Sequence, residues 1–377
     1  MFRHNGGTFL LRRKQASAPR VTDMSYQVTI EPSGHRFTVG GDESVLDAAL
    51  RHGLVIPYSC RNGTCLTCMG KVVEGEIGYP GGEPPDCLDE TAVAVGQALF
   101  CQARPTSDLV IEVREVRDAG DLAPRRTRCR VAGMERCSRD VMRLYLKLPD
   151  AERLAFLPGQ YIDILLRDGR RRSFSLANAP HDDELLELHV RHIEGGEFSE
   201  QVFFNMEEKA LLRMEGPYGQ FWLREDDDRP ILMMAGSTGI APLKSILDHL
   251  VHIGNRRAVH LYWGVRERQD LYLDEELRAL AEGCSWLTYT PCLSEPRAED
   301  AWEGRIGLVH NMLLHDHPEL GSHAVYMSGP PAMIAAAQRD FHRHGVDPDH
   351  LHQDAFEFAA DSRPDLTAGT QGSTTTD

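Results

Sequence analysis

From Tyr26 onward the chain alternates apolar and polar positions in two short runs, Gln27-Val28-Thr29-Ile30 and Arg36-Phe37-Thr38-Val39, joined by Pro32-Ser33-Gly34. Alternation of period two about a turn predicts a β-hairpin. Ser44 stands in N-cap position before a run from Val45 to His52, and Gly53 ends that run, which predicts a short helix. Strand-like segments at 70–74 and 109–113 follow, with a Pro/Gly-rich loop at 79–86 and an apolar stretch at 92–100 between them. Hairpin, helix and return strands predict a small α+β domain over 24–117, a common domain size. Residues 1–23 carry several Arg and Lys but no apolar core followed by a small-residue cleavage site. They read as a disordered tail or an unused upstream start.

Residues 118–125 are polar, with Gly and Pro, and read as a linker. Over 126–226 the pattern turns to β-formers at 144–148, 161–166, 173–176 and 185–192, punctuated by Gly and Pro, with one helix near 198–205. That punctuation predicts a small antiparallel barrel. The charged run 224–229 marks the next boundary, and 227–358 opens on the apolar run 230–235, followed by a glycine-rich turn and a helix to about His252. Further strand signals at 259–263, 287–290 and 324–327 alternate with helical stretches, which predicts a parallel sheet covered on both faces. Residues 359–377, rich in Ser, Thr and Gly, read as a disordered tail.

With 377 residues the chain exceeds one core, and two or three domains follow. No apolar run is long enough to span a bilayer. A formal charge of −16 argues against a nucleic-acid partner, since phosphate binding needs a basic surface. It suits either a solvated acidic surface or docking to a basic partner. The nine cysteines show no disulfide-like framework, which favours a reducing, cytoplasmic compartment.

Four of those cysteines carry the strongest chemical signal. Cys60, Cys65 and Cys68 stand in C-x4-C-x2-C, and Cys101 follows in Leu99-Phe100-Cys101-Gln102. This is the plant-type spacing for a [2Fe–2S] cluster, so these four are the metal ligands expected. Gly63 lets the loop double back, because it tolerates positive φ. A structural zinc site would more often show paired C-x2-C knuckles or histidines. Cys87 is the rival for fourth ligand; Cys101 is preferred because it enters directly after the apolar stretch. The histidines at 342, 344, 350 and 352 lack a matching carboxylate arrangement and are assigned no metal.

Arg172-Ser173-Phe174-Ser175 resembles the R-x-[Y/F]-S flavin motif of the ferredoxin–NADP reductase superfamily. Taken alone, the residues fit equally a strand ending in a surface arginine with Phe174 in the core. The resemblance implies that Arg172 binds the FAD pyrophosphate, a task that suits guanidinium. It also implies that Phe174 stacks on the isoalloxazine and Ser175 hydrogen-bonds its N5. His189-Val190-Arg191 with Gly195-Gly196-Glu197-Phe198-Ser199 resembles the second flavin segment, which implies cofactor roles for Arg191, Gly196 and Ser199 at a helix N-terminus facing phosphate. Gly216-Pro217-Tyr218-Gly219 resembles the family's G-P-x-G turn and reads as structural.

Gly236-Ser237-Thr238-Gly239-Ile240-Ala241-Pro242 resembles the nicotinamide-side motif G-x-T-G-[I/L]-[A/T]-P, implying cofactor contacts at Gly236, Thr238, Gly239 and Pro242. Ser328-Gly329-Pro330-Pro331-Ala332-Met333 resembles C-G-P-P-x-M, implying contacts at Gly329 and Pro330, with Ser328 where many members carry a cysteine beside the nicotinamide. Ser175 and Ser328 are thus the implied catalytic pair. Asp354-Ala355-Phe356 resembles the segment that closes over the flavin, so Phe356 shields the ring or is the last core residue of the sheet. No dense cluster of Arg and Lys marks a 2′-phosphate pocket, which favours NADH, while Arg266 and Arg268 leave NADPH open.

The resemblance covers about 26–358 and implies a multidomain α+β and α/β architecture. Its parts are a β-grasp ferredoxin domain, an antiparallel β-barrel flavin domain and a parallel-sheet nicotinamide-binding domain. The order is shared by reductase components of phenol and methane monooxygenases and benzoate-type dioxygenases, and by CDP-6-deoxy-glucoseen reductases of deoxysugar biosynthesis. It implies an NAD(P)H-dependent iron–sulfur flavoprotein oxidoreductase. Hydride passes to FAD, and single electrons pass through the cluster, near about −400 mV, to a dehydrase, oxygenase or hydroxylase component. The alternatives are a flavin or ferric reductase with the cluster domain as accessory, or a redox sensor on the same scaffold.

Overall fold

A computed structural model describes residues 25–58, 61–64, 66–113, 117–118, 122–150 and 152–356. The two terminal segments expected to be tails, 1–23 and 359–377, lie outside these residues, as do Cys60 and Cys65. The first unit contains β1 (Ser25–Glu31), β2 (Arg36–Gly40), α1 (Val45–Arg51), β3 (Leu54–Val55), β4 (Met69–Glu74), β5 (Ile77–Gly78), α2 (Glu90–Ala94), β6 (Gln97–Leu99), β7 (Arg104–Pro105), β8 (Leu109–Glu112) and β9 (Arg117–Asp118). Its sheet runs β2-β1-β8-β4-β6, with β1 and β8 parallel at the centre. Val28, Ile30, Phe37 and Val39 point from β1 and β2 onto Leu46, Ala49 and Leu50 of α1, and all seven are buried. Ser44 caps that helix, its Oγ accepting from Asp47 N at 3.0 Å. This is the β-grasp arrangement. Part of the expected linker forms β9, which pairs with β3.

The second unit is β10 (Arg125–Arg136), β11 (Val141–Lys147), β12 (Tyr161–Leu165), β13 (Arg171–Ser175), β14 (Leu186–Arg191), α3 (Glu197–Glu200), a π-helical turn over Gln201–Asn205, and β15 (Leu211–Tyr218). Its antiparallel order is β13-β12-β15-β10-β11-β14, and a bridge between Leu176 and Leu188 joins the two ends into a barrel. The sequence pattern did not point to β10 or β15. Of the twelve residues of β10 only Cys129 and Val131 are buried, and arginines fill much of the rest.

The third unit is β16 (Ile231–Gly236), a 3-10 turn over Ser237–Gly239, α4 (Ile240–His252), β17 (Val259–Val265), α5 (Asp274–Gly283), β18 (Leu287–Leu293), β19 (Arg305–Ile306), α6 (Val309–Asp316), β20 (Ala324–Gly329), α7 (Pro331–Arg343) and β21 (Leu351–Ala355). All six strands are parallel, in the order β19-β18-β17-β16-β20-β21. Every residue of β16 and β20 is buried, as expected of central strands covered on both faces. Strand β21 reads Leu-His-Gln-Asp-Ala, too polar to announce itself, yet it carries the C-terminal segment to the cofactor face. Among the described residues no helix is long and apolar enough to cross a membrane.

The barrel and the parallel sheet are joined by a buried charge network. Glu187 of β14 lies 3.2 Å from Lys244 of α4, 3.3 Å from Arg143 and 2.9 Å from His189. His189 Nδ1 in turn meets Tyr272 OH at 2.9 Å, and Arg143 reaches Glu276 of α5 at 2.9 Å. Burial alone would raise the Glu187 carboxyl; the hydrogen bond from His189 and the surrounding cations hold it down at about 2. A depressed carboxylate stabilises the fold fully above its unfolded pKa and loses that contribution as pH falls through the folded value. Glu187→Ala removes the acceptor shared by Arg143, Lys244 and His189, but Arg143 keeps Glu276 and Lys244 keeps Asp248, so the change is expected to cost about 1–3 kcal/mol, measured by denaturant unfolding at pH 7. The gap between variant and parent should narrow as pH drops from about 4.5 towards 2.

Candidate functional site

The cluster loop winds tightly. Arg61, Gly63 and Leu66 all have positive φ, at 56°, 84° and 59°. A Cβ on Gly63 would sit 2.9 Å from Gln102 Cγ and 3.3 Å from Pro85 Cγ, so glycine is required for the close approach as well as for the turn. Gln102 Nε2 donates to Arg61 O at 3.1 Å, and Phe100 N to Cys68 O at 3.1 Å. The N-terminus of α1 grips the same strip, with Val45 N donating to Ala103 O and Leu46 N to Phe100 O. Cys68 and Cys101 are thereby held at 4% and 6% exposure. Burial raises the Tyr79 phenol, whose hydroxyl accepts from Leu99 N at 3.4 Å on the strand leading to Cys101. Cys68 on this left-handed loop and Cys101 beside it are two buried thiols brought together by one hydrogen-bonded strip, which fits an iron–sulfur centre. Cys87 is not remote surface: its Sγ donates to Gly63 O at 2.8 Å. Thr64, Leu66 and Thr67 stand exposed on the same loop, leaving a face open to a partner.

A cavity of about 370 Å³ opens where all three units meet. Arg172, Phe174 and Ser175 from β13, Arg191 from β14, Gly236 at the end of β16, Thr238 from the turn after it, Pro330, and Phe356 all reach its wall. Two guanidiniums, an aromatic ring and hydroxyls form a donor set that fits a flavin dinucleotide. Arg191 spans two units, Nε donating to Asp140 Oδ2 at 2.9 Å and Nη1 to Ser237 Oγ at 3.1 Å. Phe174 packs edge-tilted on Phe198 at 5.3 Å.

Gly196 and Ser199 are not on that wall; Ile193 of the same segment is. The segment closes on itself instead. Ser199 Oγ accepts from Ile193 N and donates to backbone carbonyls, and the Glu200 carboxylate accepts the Gly195 N–H at 2.8 Å. The helix predicted to present a free N-terminus is only four α-helical residues long, with acidic Glu197 and Glu200 in its first turn.

The nicotinamide-side glycines are fixed by packing. A Cβ on Gly239 would lie 2.2 Å from Ser328 O, and one on Gly236 2.5 Å from Met333 Sδ. Gly329, at φ 142°, would meet Gly236 O at 2.8 Å. The two motifs therefore interlock, and only glycines let β16 and β20 end so close together. Pro242 sits in the first turn of α4, where a missing N–H costs nothing. Ser328 is wholly buried, and its Oγ has no hydrogen-bond partner within the protein.

Sequence reasoning left Asp354 without a role. It pairs with Ser328 in the β20–β21 register, and Ser175 Oγ donates to its Oδ2 at 3.4 Å. Burial pushes its carboxyl up to about 7, against the lowering effect of the Ser175 hydroxyl. Asp354 and Ser175 thus meet at the cavity wall, while Ser328, the other serine expected there, lies buried one strand away and does not line it. Phe356 follows, its N–H donating to Gly329 O at 2.9 Å. Among the described residues no group of three or more His, Cys, Asp or Glu side chains is arranged around a metal position, the C-terminal histidines included.

The chain matches family models described as a 2Fe-2S iron-sulfur cluster binding domain over residues 28–106, an oxidoreductase FAD-binding domain over 128–222 and an oxidoreductase NAD-binding domain over 233–339. It is 37% identical to the CDP-6-deoxy-L-threo-D-glycero-4-hexulose-3-dehydrase reductase of Yersinia pestis, over 88% of this chain and 99% of that protein. It is 34% identical to the phenol hydroxylase P5 protein of Acinetobacter pittii, over 90% of this chain and 96% of the other. Among solved structures, a cytochrome P450 reductase of Amycolatopsis superposes with a TM-score of 0.80 at 33% identity, covering 88% of this chain and 98% of that one. The chain belongs to the ferredoxin–NADP reductase family as an iron–sulfur flavoprotein oxidoreductase, passing hydride from NAD(P)H to FAD and single electrons through a [2Fe–2S] cluster to a partner protein.

Proposed function

We propose that this reductase feeds a dehydrase acting on a nucleotide-linked hexulose, using NADH in the cytoplasm. The observation that carries this reading is the 37% identity with the Yersinia pestis dehydrase reductase along 99% of that protein. A second reading, supply of an oxygenase or hydroxylase, is favoured by the TM-score of 0.80 with the Amycolatopsis reductase. NADH is supported by the segment after β17, where Glu267 faces Arg297 at 2.6 Å and Arg268 donates to Asp300 O. Arg268 and Arg297 thus already have acceptors, and Glu267 supplies a carboxylate of the kind that suits a ribose 2′-hydroxyl. The division into 24–117, 126–226 and 227–358 is part of the same proposal.

In this reading Cys60, Cys65, Cys68 and Cys101 hold the cluster. Arg172 and Arg191 would neutralise the FAD pyrophosphate, Phe174 and Phe356 would offer apolar surface to its ring, and Gly236, Thr238, Gly239, Pro242, Gly329 and Pro330 would form the dinucleotide seat. Gly196 and Ser199 serve by holding the loop that carries Arg191. When bound, the flavin accepts hydride as an electron pair and releases electrons singly, while the cluster takes one at a time. The protein's part is positional and protonic: the Ser175 hydroxyl donates to Asp354 and leaves its oxygen to accept from a group in the cavity, so the carboxyl orients the hydroxyl.

Asp354 also makes a pH prediction for the flavin-free protein. A carboxyl whose folded pKa is raised contributes stability that is complete below its unfolded pKa and is lost as pH rises through the folded value. Unfolding free energy should therefore decline between about pH 4 and pH 7, and Asp354→Asn should flatten that decline in denaturant titrations. A decline unchanged in the variant would assign the effect to another group.

The partner is tested by mixing the purified reductase and NADH with the Yersinia pestis dehydrase and its CDP-hexulose substrate. Substrate-dependent NADH consumption supports the first reading. Consumption only with an oxygenase component would establish the second.

A further inference from the structure

One side chain of the cluster loop fastens the ferredoxin unit to the flavin barrel. Arg61 Nη1 donates to Asp163 Oδ2 of β12 at 2.8 Å, and Nη2 to Asp47 Oδ1 of α1 at 2.8 Å. Its guanidinium lies over the Tyr218 ring of β15, 3.9 Å from the centroid. The Arg61 side chain is 11% exposed and that of Asp163 3%. Around this latch, Gly219 N donates to Tyr58 OH at 2.8 Å and Gln220 Nε2 to Ile56 O at 2.9 Å. Tyr161 and Tyr218 of the barrel pack into the ferredoxin unit's own core. The G-P-Y-G turn, which reads as merely structural, is thus the seat of the cluster domain.

Burying a guanidinium and a carboxylate carries a desolvation cost that plain apolar packing would avoid. What the charged contact supplies is direction, because the planar fork has fixed hydrogen-bond vectors and a stacking face. That direction falls where it matters: Arg61 and its neighbour Asn62 also form part of the wall of the flavin cavity. Transfer of an electron between two centres weakens steeply with their separation, so a loop fixed against that wall is a loop fixed for transfer.

We propose that Arg61 is the positioning residue that docks the cluster loop against the flavin cavity, so that the internal relay runs without domain rotation. The exposed side of the same loop, at Thr64, Leu66 and Thr67, is left for the partner. The proposal rests on the family's electron route and is independent of which partner is served. Arg61→Gln does not strand a bare buried carboxylate, since Asp163 keeps Ser173 Oγ at 2.7 Å and Arg171 at 3.3 Å.

The test uses holoenzyme of Arg61→Gln, Arg61→Lys and Asp163→Asn, each assayed for flavin and iron content. Hydrogen exchange should quicken at 56–64 and 216–220 in Arg61→Gln and stay at parent rates elsewhere. In rapid mixing with NADH, the ratio of cluster reduction to flavin reduction should fall by about tenfold or more, the scale of a misplaced reactant. Arg61→Lys, which keeps charge and loses the planar fork, should fall between. If Arg61→Gln sheds its cluster, Asp163→Asn, which alters only the barrel, should show the same local exchange and a lowered ratio. Unchanged exchange at both segments with a ratio within about twofold of the parent would overturn the proposal. Should the parent's cluster stay oxidised in NADH, the electron route itself fails, and the exchange comparison still decides whether Arg61 is the latch.

Discussion

Cys101→Ser should lower NADH-driven cytochrome c reduction by on the order of 100-fold while ferricyanide reduction largely persists. Ferricyanide can take electrons at the flavin; cytochrome c reports the path through the cluster. Cys101 is buried among Leu99, Phe100 and Ala103, and its neighbours hold the N-terminus of α1, so the thiol has little freedom to be replaced by another donor. Serine is a poor ligand for iron, and even changes outside the direct ligands of a metal site cost 10–100-fold. Cys87→Ala provides the contrast. Its thiol donates to Gly63 O, so its loss should loosen the loop and lower cluster lifetime while leaving initial turnover within about threefold. The opposite ranking of the two variants would make Cys87 the fourth ligand.

Arg172→Ala should weaken FAD binding by about 30- to 150-fold, equivalent to about 2–3 kcal/mol for a hydrogen bond to a charged group. The residue stands on β13 at the cavity wall, three positions before Ser175, and Arg171 beside it is already engaged with Asp163 and Glu215. Arg171 is therefore a poor substitute. Arg172→Lys should recover the charge without the fork and fall between the two. Fluorescence titration of the flavin-free protein reads the affinity. An Arg172→Ala protein that binds FAD as tightly as the parent would move the pyrophosphate to Arg191.

The chemistry was legible in the sequence wherever it is held by local spacing. Three cysteines in nine residues and a glycine-rich strand-to-helix turn each need a fixed order of residues. The strand carrying Arg172 to Ser175 emerged where expected, and so did the helix capped by Ser44. What stayed hidden depends on partners distant in the chain. Ser175 and Asp354 are 179 positions apart, and the raised carboxyl pKa is a consequence of burial that no local pattern announces. Arg61 and Asp163 are 102 positions apart, and an arginine inside a cysteine loop reads as one more surface charge. Strands β10 and β21 were missed because their side chains are mostly polar, their register being set by neighbours on either side. Gly239 has a reason beyond the cofactor: its missing Cβ is what lets Ser328 O approach.

The decisive measurement is an anaerobic titration of the purified protein with stoichiometric NADH, followed by visible absorbance and by EPR at low temperature. Bleaching of the flavin, then loss of cluster absorbance with the rhombic signal of a reduced [2Fe–2S] centre, is the outcome required of a relay. Flavin bleaching with no iron–sulfur signal at any NADH ratio would contradict it, and would leave a flavin reductase carrying an accessory domain.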